Sequence, residues 1–152
     1  MELKIGDKAP HFKAKDTNGN DFDSQTIVGK KTLVLYFYPK DNTPGCTAQA
    51  CSFRDQYEDF KVIGAEVIGV SADSSKSHQQ FSTQYNLPFT LLSDTNNKIR
   101  SQFGVPSALF GLLPGRVTYI INKEGIIIDI YNSMLSNKHI SKALEALKKQ
   151  KQ

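Results

Sequence analysis

The apolar positions of this chain follow two different rhythms. Phe12 and Ala14 alternate with Lys13 and Lys15, and Thr17-Asn18-Gly19-Asn20 supplies a turn before Phe22. That stretch reads as a β-hairpin. Elsewhere the apolar runs are continuous. Lys31 to Tyr38 carries Leu33, Val34, Leu35, Tyr36, Phe37 and Tyr38 in succession, the pattern of a central strand covered on both faces. Val62 to Ser71 and Arg116 to Asn122 contain two further runs of this kind. Lys123-Glu124-Gly125 then turns the last of them into Ile126 to Tyr131, predicting a terminal hairpin.

Helical spacing fills the intervals. A short helical segment ends near Gly29. Ser74 to Tyr85 sets Phe81 and Tyr85 one turn apart, and Ser136 to Lys149 aligns Ile140, Ala143, Leu144 and Leu147, with Ser136 as its cap. No internal repeat or linker interrupts the chain. Strands interleaved with helices, with antiparallel pairs at the ends, predict a single α/β domain over residues 1–152 with a mixed sheet.

Composition agrees with that reading. Of 152 residues, 39% are hydrophobic and 22% charged, enough for a real core without staples. No apolar run approaches the roughly 18 to 20 residues of a membrane span, and Met1 to Pro10 lacks the apolar centre of a secretion signal. A soluble, cytoplasmic protein is expected, or a plastid one if the chain is a trimmed organellar form. The net charge of +4 lies entirely in Lys138 to Gln152, where five lysines face one glutamate. Such a run is a solvated helix face, so no nucleic-acid partner is expected. Two cysteines exclude a disulfide scaffold and a four-cysteine metal centre. His11, His78 and His139 show no ligand spacing and are expected at the surface. No metal or cofactor is implied.

The informative helix follows the first central strand. Thr43 is competent to cap it, Pro44 suits the first helical position, and the Thr43 hydroxyl could then accept from the Cys46 N–H. On a helical wheel Cys46, Ala50, Phe53, Tyr57 and Phe60 fall within about 80°. Cys46 therefore lies on a buried stripe at the carboxyl end of a strand, where open α/β sheets place their sites. Cys51 is rotated about 140° away. Two buried, inert thiols remain an equal reading at this point.

Reactivity at neutral pH sets a condition. A free cysteine titrates near pH 8.5, and bringing that to about 6 takes roughly 3.4 kcal/mol. A helix N-terminus supplies about 0.3–1 kcal/mol, at best about 2. A cation must supply the rest, and the chain has three arginines, Arg54, Arg100 and Arg116. Arg54 shares the helix but sits two turns towards its far end. Arg116 opens a predicted central strand after Pro114-Gly115 and is favoured, as much by the resemblance that follows as by position.

The segment from Tyr36 to Asp55, containing Pro39-Lys40-Asp41-Asn42-Thr43-Pro44-Gly45-Cys46 and Cys51, resembles the active-site signature of the peroxiredoxins. The second cysteine five residues on makes it similar to the Q type, the bacterioferritin-comigratory-protein group. Leu87 to Asp94 and Gly111 to Arg116 also match, the latter as in cyanobacterial and plastid members. The resemblance implies a thioredoxin-like (peroxiredoxin) fold and reduction of hydroperoxides without a cofactor. It implies Cys46 as peroxidatic and Cys51 as resolving cysteine, Thr43 orienting the peroxide, Pro39 shielding the sulfur, and Arg116 polarising thiolate and substrate. It further implies thioredoxin as the reductant and a monomer. Gln49 stands where many bacterial members have glutamate, which leaves open whether it holds the arginine or is an exposed helix residue. Two other readings compete. A disulfide oxidoreductase needs C-x-x-C, and Gln49 occupies the second cysteine's position; a redox sensor would react once without cycling.

Overall fold

β3, Thr32–Phe37, is buried along its whole length and forms the middle of the molecule. Its alternate residues feed two separate cores. Val34 and Tyr36, with Tyr38 just beyond, pack on one face, and Leu33, Leu35 and Phe37 on the other. That two-sided burial is the cause of the unbroken apolar run.

The computed structural model describes residues 2–108 and 113–150. β1 (Lys13–Lys15) and β2 (Asp21–Asp23) precede β3 as the expected hairpin. After β3 come α1 (Pro44–Asp55), α2 (Tyr57–Val62), β4 (Ala65–Ser71), α3 (Ser75–Tyr85), β5 (Thr90–Ser93) and α4 (Lys98–Phe103). β6 (Ser107–Ala108), β7 (Leu113–Pro114), β8 (Val117–Ile121), β9 (Ile127–Asn132) and α5 (His139–Gln150) complete the order. Seven strands form one mixed sheet in the order β2-β1-β5-β4-β3-β8-β9, and β6 pairs separately with β7. β3, β4 and β5 are parallel, while β8 runs antiparallel to β3 and forms the expected hairpin with β9.

One face of the sheet buries Tyr36, Phe53, Phe60, Phe81, Phe89 and the apolar stripe of α5; Phe12, Ile99, Phe103 and Tyr119 fill the other. Tyr36 stacks on Phe53 with ring centroids 4.6 Å apart, locking α1 onto the sheet.

Several local expectations are corrected. The stripe from Cys46 to Phe60 is not one helix: Gln56, at φ −110° and ψ 12°, separates α1 from α2. Phe60, on α2, still reaches the core. Val62 belongs to α2 and is exposed; β4 begins only at Ala65. Ser136 does not cap α5 but opens a one-turn 3-10 segment, Ser136–Lys138, ahead of it. Of the family-like segment Gly111 to Arg116, Gly111 and Leu112 lie outside the described residues.

Candidate active site

Cys46 occupies the first turn of α1, directly beyond the carboxyl end of β3, and is 1% exposed. Arg116 enters from the start of β8, the strand paired with β3, so sheet pairing brings the two together across 70 positions of sequence. Its Nη2 donates to Cys46 Sγ at 3.3 Å. Nη1 donates to Gln49 Oε1, and Nε to the Met134 carbonyl at 3.0 Å. Arg116 as a whole is 4% exposed, so its charge is little screened by water. Gly45 makes the close approach possible: a Cβ there would stand 3.1 Å from Nη2.

Gln49 is fully buried and holds the arginine through its carbonyl oxygen, which excludes the exposed-residue reading. Among the described residues its Nε2 has no partner, nor has the Tyr36 hydroxyl. Burial, first of all, pushes the Tyr36 phenol well above its ordinary range.

Thr43 is at the cap position, but its hydroxyl does not bond the helix N–H groups. It donates instead to the Lys40 carbonyl at 2.9 Å. A hydroxyl has one proton to give; with that proton spent on Lys40, its lone pairs stay free to accept. Cys46 and Cys51 are both free thiols within the same helix, the first buried and the second half-buried. Arg54 turns away from Cys46, donating to the Tyr85 carbonyl at 2.8 Å and to Asp55 at 3.0 Å.

The loop from Pro39 to Thr43 is anchored by residues that sequence reasoning missed. Asp41 is 5% exposed. It accepts from the Tyr38 hydroxyl at 2.5 Å, the Ser77 hydroxyl at 2.8 Å and His78 Nδ1 at 2.7 Å. His78 Nε2 faces the Leu92 carbonyl at 2.9 Å. Both ring nitrogens thus meet a polar partner, so the buried ring is satisfied on each side. Asp73 adds a carboxylate that accepts from the Asp41 N–H and the Ser71 hydroxyl. Asp41, Asp73 and His78 bring possible ligand atoms within 4.8 Å of one another, but these atoms are already spent on internal hydrogen bonds. Arg100 ties the two strand ends together: Nη2 donates to the Tyr38 carbonyl at 3.2 Å and Nη1 to the Gly115 carbonyl at 3.0 Å.

The surface expectation for histidines fails twice, since His78 and His139 are fully buried; only His11 is exposed. Each buried ring has both nitrogens partnered, which removes the cost that would otherwise keep it outside.

The sequence profile of the AhpC/TSA family matches residues 5–130. The chain belongs to the AhpC/TSA family. Among its relatives is the chloroplastic peroxiredoxin Q of Arabidopsis thaliana, 54% identical over 148 residues that span 97% of this chain and 68% of that protein. Solved structures of the family superpose closely. A PrxQ mutant of Xylella fastidiosa is 28% identical with a TM-score of 0.91, covering 100% of this chain and 99% of the other. The bacterioferritin comigratory protein of Xanthomonas campestris, studied in trapped intermediate/ligand complexes for its alkyl peroxide reduction activity, is 30% identical. Its TM-score is 0.84, over 93% of this chain and 92% of that one. The AhpC/TSA-family chain therefore has the thioredoxin-like peroxiredoxin fold and is a thiol peroxidase. Among the described residues no helix is long and apolar enough to cross a membrane.

Proposed function

We propose that this single domain reduces hydrogen peroxide and organic hydroperoxides through Cys46, with Cys51 as the resolving thiol and a thioredoxin-type dithiol as reductant. The observation that carries the reading is the buried Arg116 guanidinium, 3.3 Å from Cys46 Sγ. Opposite unit charges about 4 Å apart attract by roughly 4 kcal/mol at an effective dielectric of about 20. That exceeds what the helix terminus alone supplies, so the guanidinium is the stronger of the two attractions for negative charge that develops beside the sulfur.

The Cys46 thiolate attacks the terminal oxygen of the peroxide, an S–O bond forms, the O–O bond breaks, and the leaving alkoxide takes a proton to become alcohol or water. Donors of Arg116 and the uncapped first-turn N–H groups of α1 lie where that negative charge develops. Thr43, its own proton held by Lys40, accepts the O–H of the incoming peroxide. Pro39, half-buried beside the fixed Tyr38 carbonyl, keeps water from the sulfur. The sulfenic acid then condenses with Cys51, releasing water and leaving a disulfide, which an external dithiol reopens by exchange.

The resolving thiol lies in the same chain and the same helix, which supports a monomer. The chloroplastic relative supports a plastid as well as a cytoplasmic setting. The deciding experiment couples the protein to thioredoxin, thioredoxin reductase and NADPH and follows NADPH consumption with several hydroperoxides. Sustained turnover is expected; a single stoichiometric oxidation would replace this reading with that of a redox sensor.

A further inference from the structure

Arg116 is held at two points by one short segment. Its backbone carbonyl accepts from the Ser133 N–H at 3.2 Å, and its Nε donates to the Met134 carbonyl at 3.0 Å. That segment leaves β9 and is otherwise open to solvent: Met134 is 37% exposed and Leu135 72%. An exposed connection does not by itself keep a carbonyl aimed at a buried guanidinium, because loops of this kind are the mobile part of a fold.

His139 supplies the missing constraint. It opens α5 and is fully buried. Its Nε2 lies 2.8 Å from the Ser133 carbonyl and its Nδ1 2.7 Å from Thr118 Oγ1. A carbonyl only accepts, so Nε2 carries the proton and Nδ1 receives the Thr118 hydroxyl. Thr118 stands on β8 two residues after Arg116. The ring therefore bridges the strand that carries the arginine and the segment that receives it. Tyr131 on β9 meets the ring edge-on at 4.7 Å. Burial first, and the charge of Arg116 after it, push the imidazole pKa down to about 4, against the pull of the Ser133 carbonyl. A neutral ring braces the guanidinium without adding a second cation beside it.

We propose that His139 is a positioning residue for Arg116, acting through Ser133 and Met134 with Thr118 fixing its tautomer. The inference rests on the role given to Arg116 above. Outer contacts of this type set the aim of a catalytic group without touching substrate.

The test uses the full-length protein and three variants. His139→Phe keeps a ring against Tyr131 and removes both hydrogen bonds. His139→Gln places an amide N–H where Nε2 was. Thr118→Val keeps the shape and removes the hydroxyl. Two quantities are read on folded protein: the second-order rate with hydrogen peroxide, and the pH at which alkylation of Cys46 is half-maximal. His139→Phe is expected to slow the peroxide step by about tenfold or more, the order expected from a sub-ångström misplacement, and to move the alkylation midpoint upward. His139→Gln should recover most of both, and Thr118→Val should show a smaller loss in the same direction. A merely structural role would lower the melting temperature and leave both quantities unchanged. Wild-type values in folded His139→Phe, or a His139→Gln as slow as His139→Phe, overturn the proposal. If His139→Phe does not fold, unchanged values in Thr118→Val overturn it. Arg116→Lys is measured alongside: no effect there rejects the role of the arginine itself, whereas an effect there with none at His139 rejects only the present inference.

Discussion

Arg116 Nη2 donates to Cys46 Sγ at 3.3 Å while the other two nitrogens of the same guanidinium serve Gln49 and Met134. Three partners served from three nitrogens in one rigid plane are what a guanidinium provides; a lysine ammonium offers its donors from a single nitrogen. Arg116→Lys should therefore lower the rate with hydrogen peroxide by about 10²-fold, the usual order for loss of one aimed donor. The charge is retained, so the loss measures geometry. Stopped-flow oxidation of Cys46 reads it, and a rate within a factor of two of wild type would require another source of activation.

The two thiols separate by what accumulates. Cys46→Ser should be inactive with any hydroperoxide, since serine forms no sulfenate. Cys51→Ser should react once at a near wild-type rate and then retain added oxygen. Intact mass after one equivalent of peroxide should show a gain of oxygen there and a loss of two hydrogens in wild type. Cycling of Cys51→Ser with thioredoxin at the wild-type rate would remove Cys51 from the resolving role.

Asp41 offers a stability test. Asp41→Ala would leave the buried His78 ring, the Tyr38 hydroxyl and the Ser77 hydroxyl without their acceptor. A buried polar group left without its partner costs about 1–3 kcal/mol, and three are left here, so urea denaturation should show a loss of at least that order. Activity should fall as well, because the same carboxylate anchors the loop that carries Pro39 and Thr43. A loss below about 1 kcal/mol, the range of an ordinary exposed contact, would mean that water replaces the network.

Much of this was readable in advance, and the misses share a cause. The central strand showed in the unbroken run from Leu33 to Tyr38, and α1 in its proline and apolar stripe. Cys46 was legible from its place where a strand end meets a helix start, and Arg116 from its position together with the resemblance to the peroxiredoxin signature. His78 and His139 were not. Their partners Asp41, Leu92 and Thr118 lie 37, 14 and 21 positions away, and a lone histidine carries no local sign of them. Thr43 misled for a subtler reason: the Lys40 carbonyl competes for its hydroxyl, and cap residues are the ones able to make either bond. β5, four residues long, is too short to show a period.

The pKa of His139 yields a pH dependence with a definite sign. It lies at about 4 in the folded protein against 6.5 ordinarily. Between those values the unfolded chain binds a proton that the folded one refuses, so stability is complete above pH 6.5 and declines as pH falls towards 4. The contribution reaches up to about 3 kcal/mol at 1.36 kcal/mol per unit. His139→Gln lacks it. The stability advantage of wild type over His139→Gln in urea should therefore shrink from pH 7 to pH 4, and a constant difference would contradict the buried neutral ring.

The proposed disulfide demands motion. Cys46 and Cys51 occupy one helix, Pro44–Asp55, as free thiols. Residues five apart in an ideal helix have Cα atoms about 8.6 Å apart, from a 7.5 Å rise and a rotation of about 140°. A disulfide rarely spans more than about 6.8 Å, and here the side chains also diverge. The bond therefore cannot form while α1 stays intact. The anchoring around α1 says where it gives way. Its far half is pinned by Phe53 against Tyr36 and by Arg54 on the Tyr85 carbonyl. Its first turn has no side-chain cap, and forming the disulfide takes away the Cys46 sulfur that Arg116 bonds. Unwinding should begin at Pro44 and stop before Phe53. Amide exchange from Cys46 to Ser52 should be faster in the oxidised protein than in the reduced, with β3, β4 and β8 unchanged. Equal protection in both states, in protein whose mass shows the intramolecular bond, would reject the unwinding.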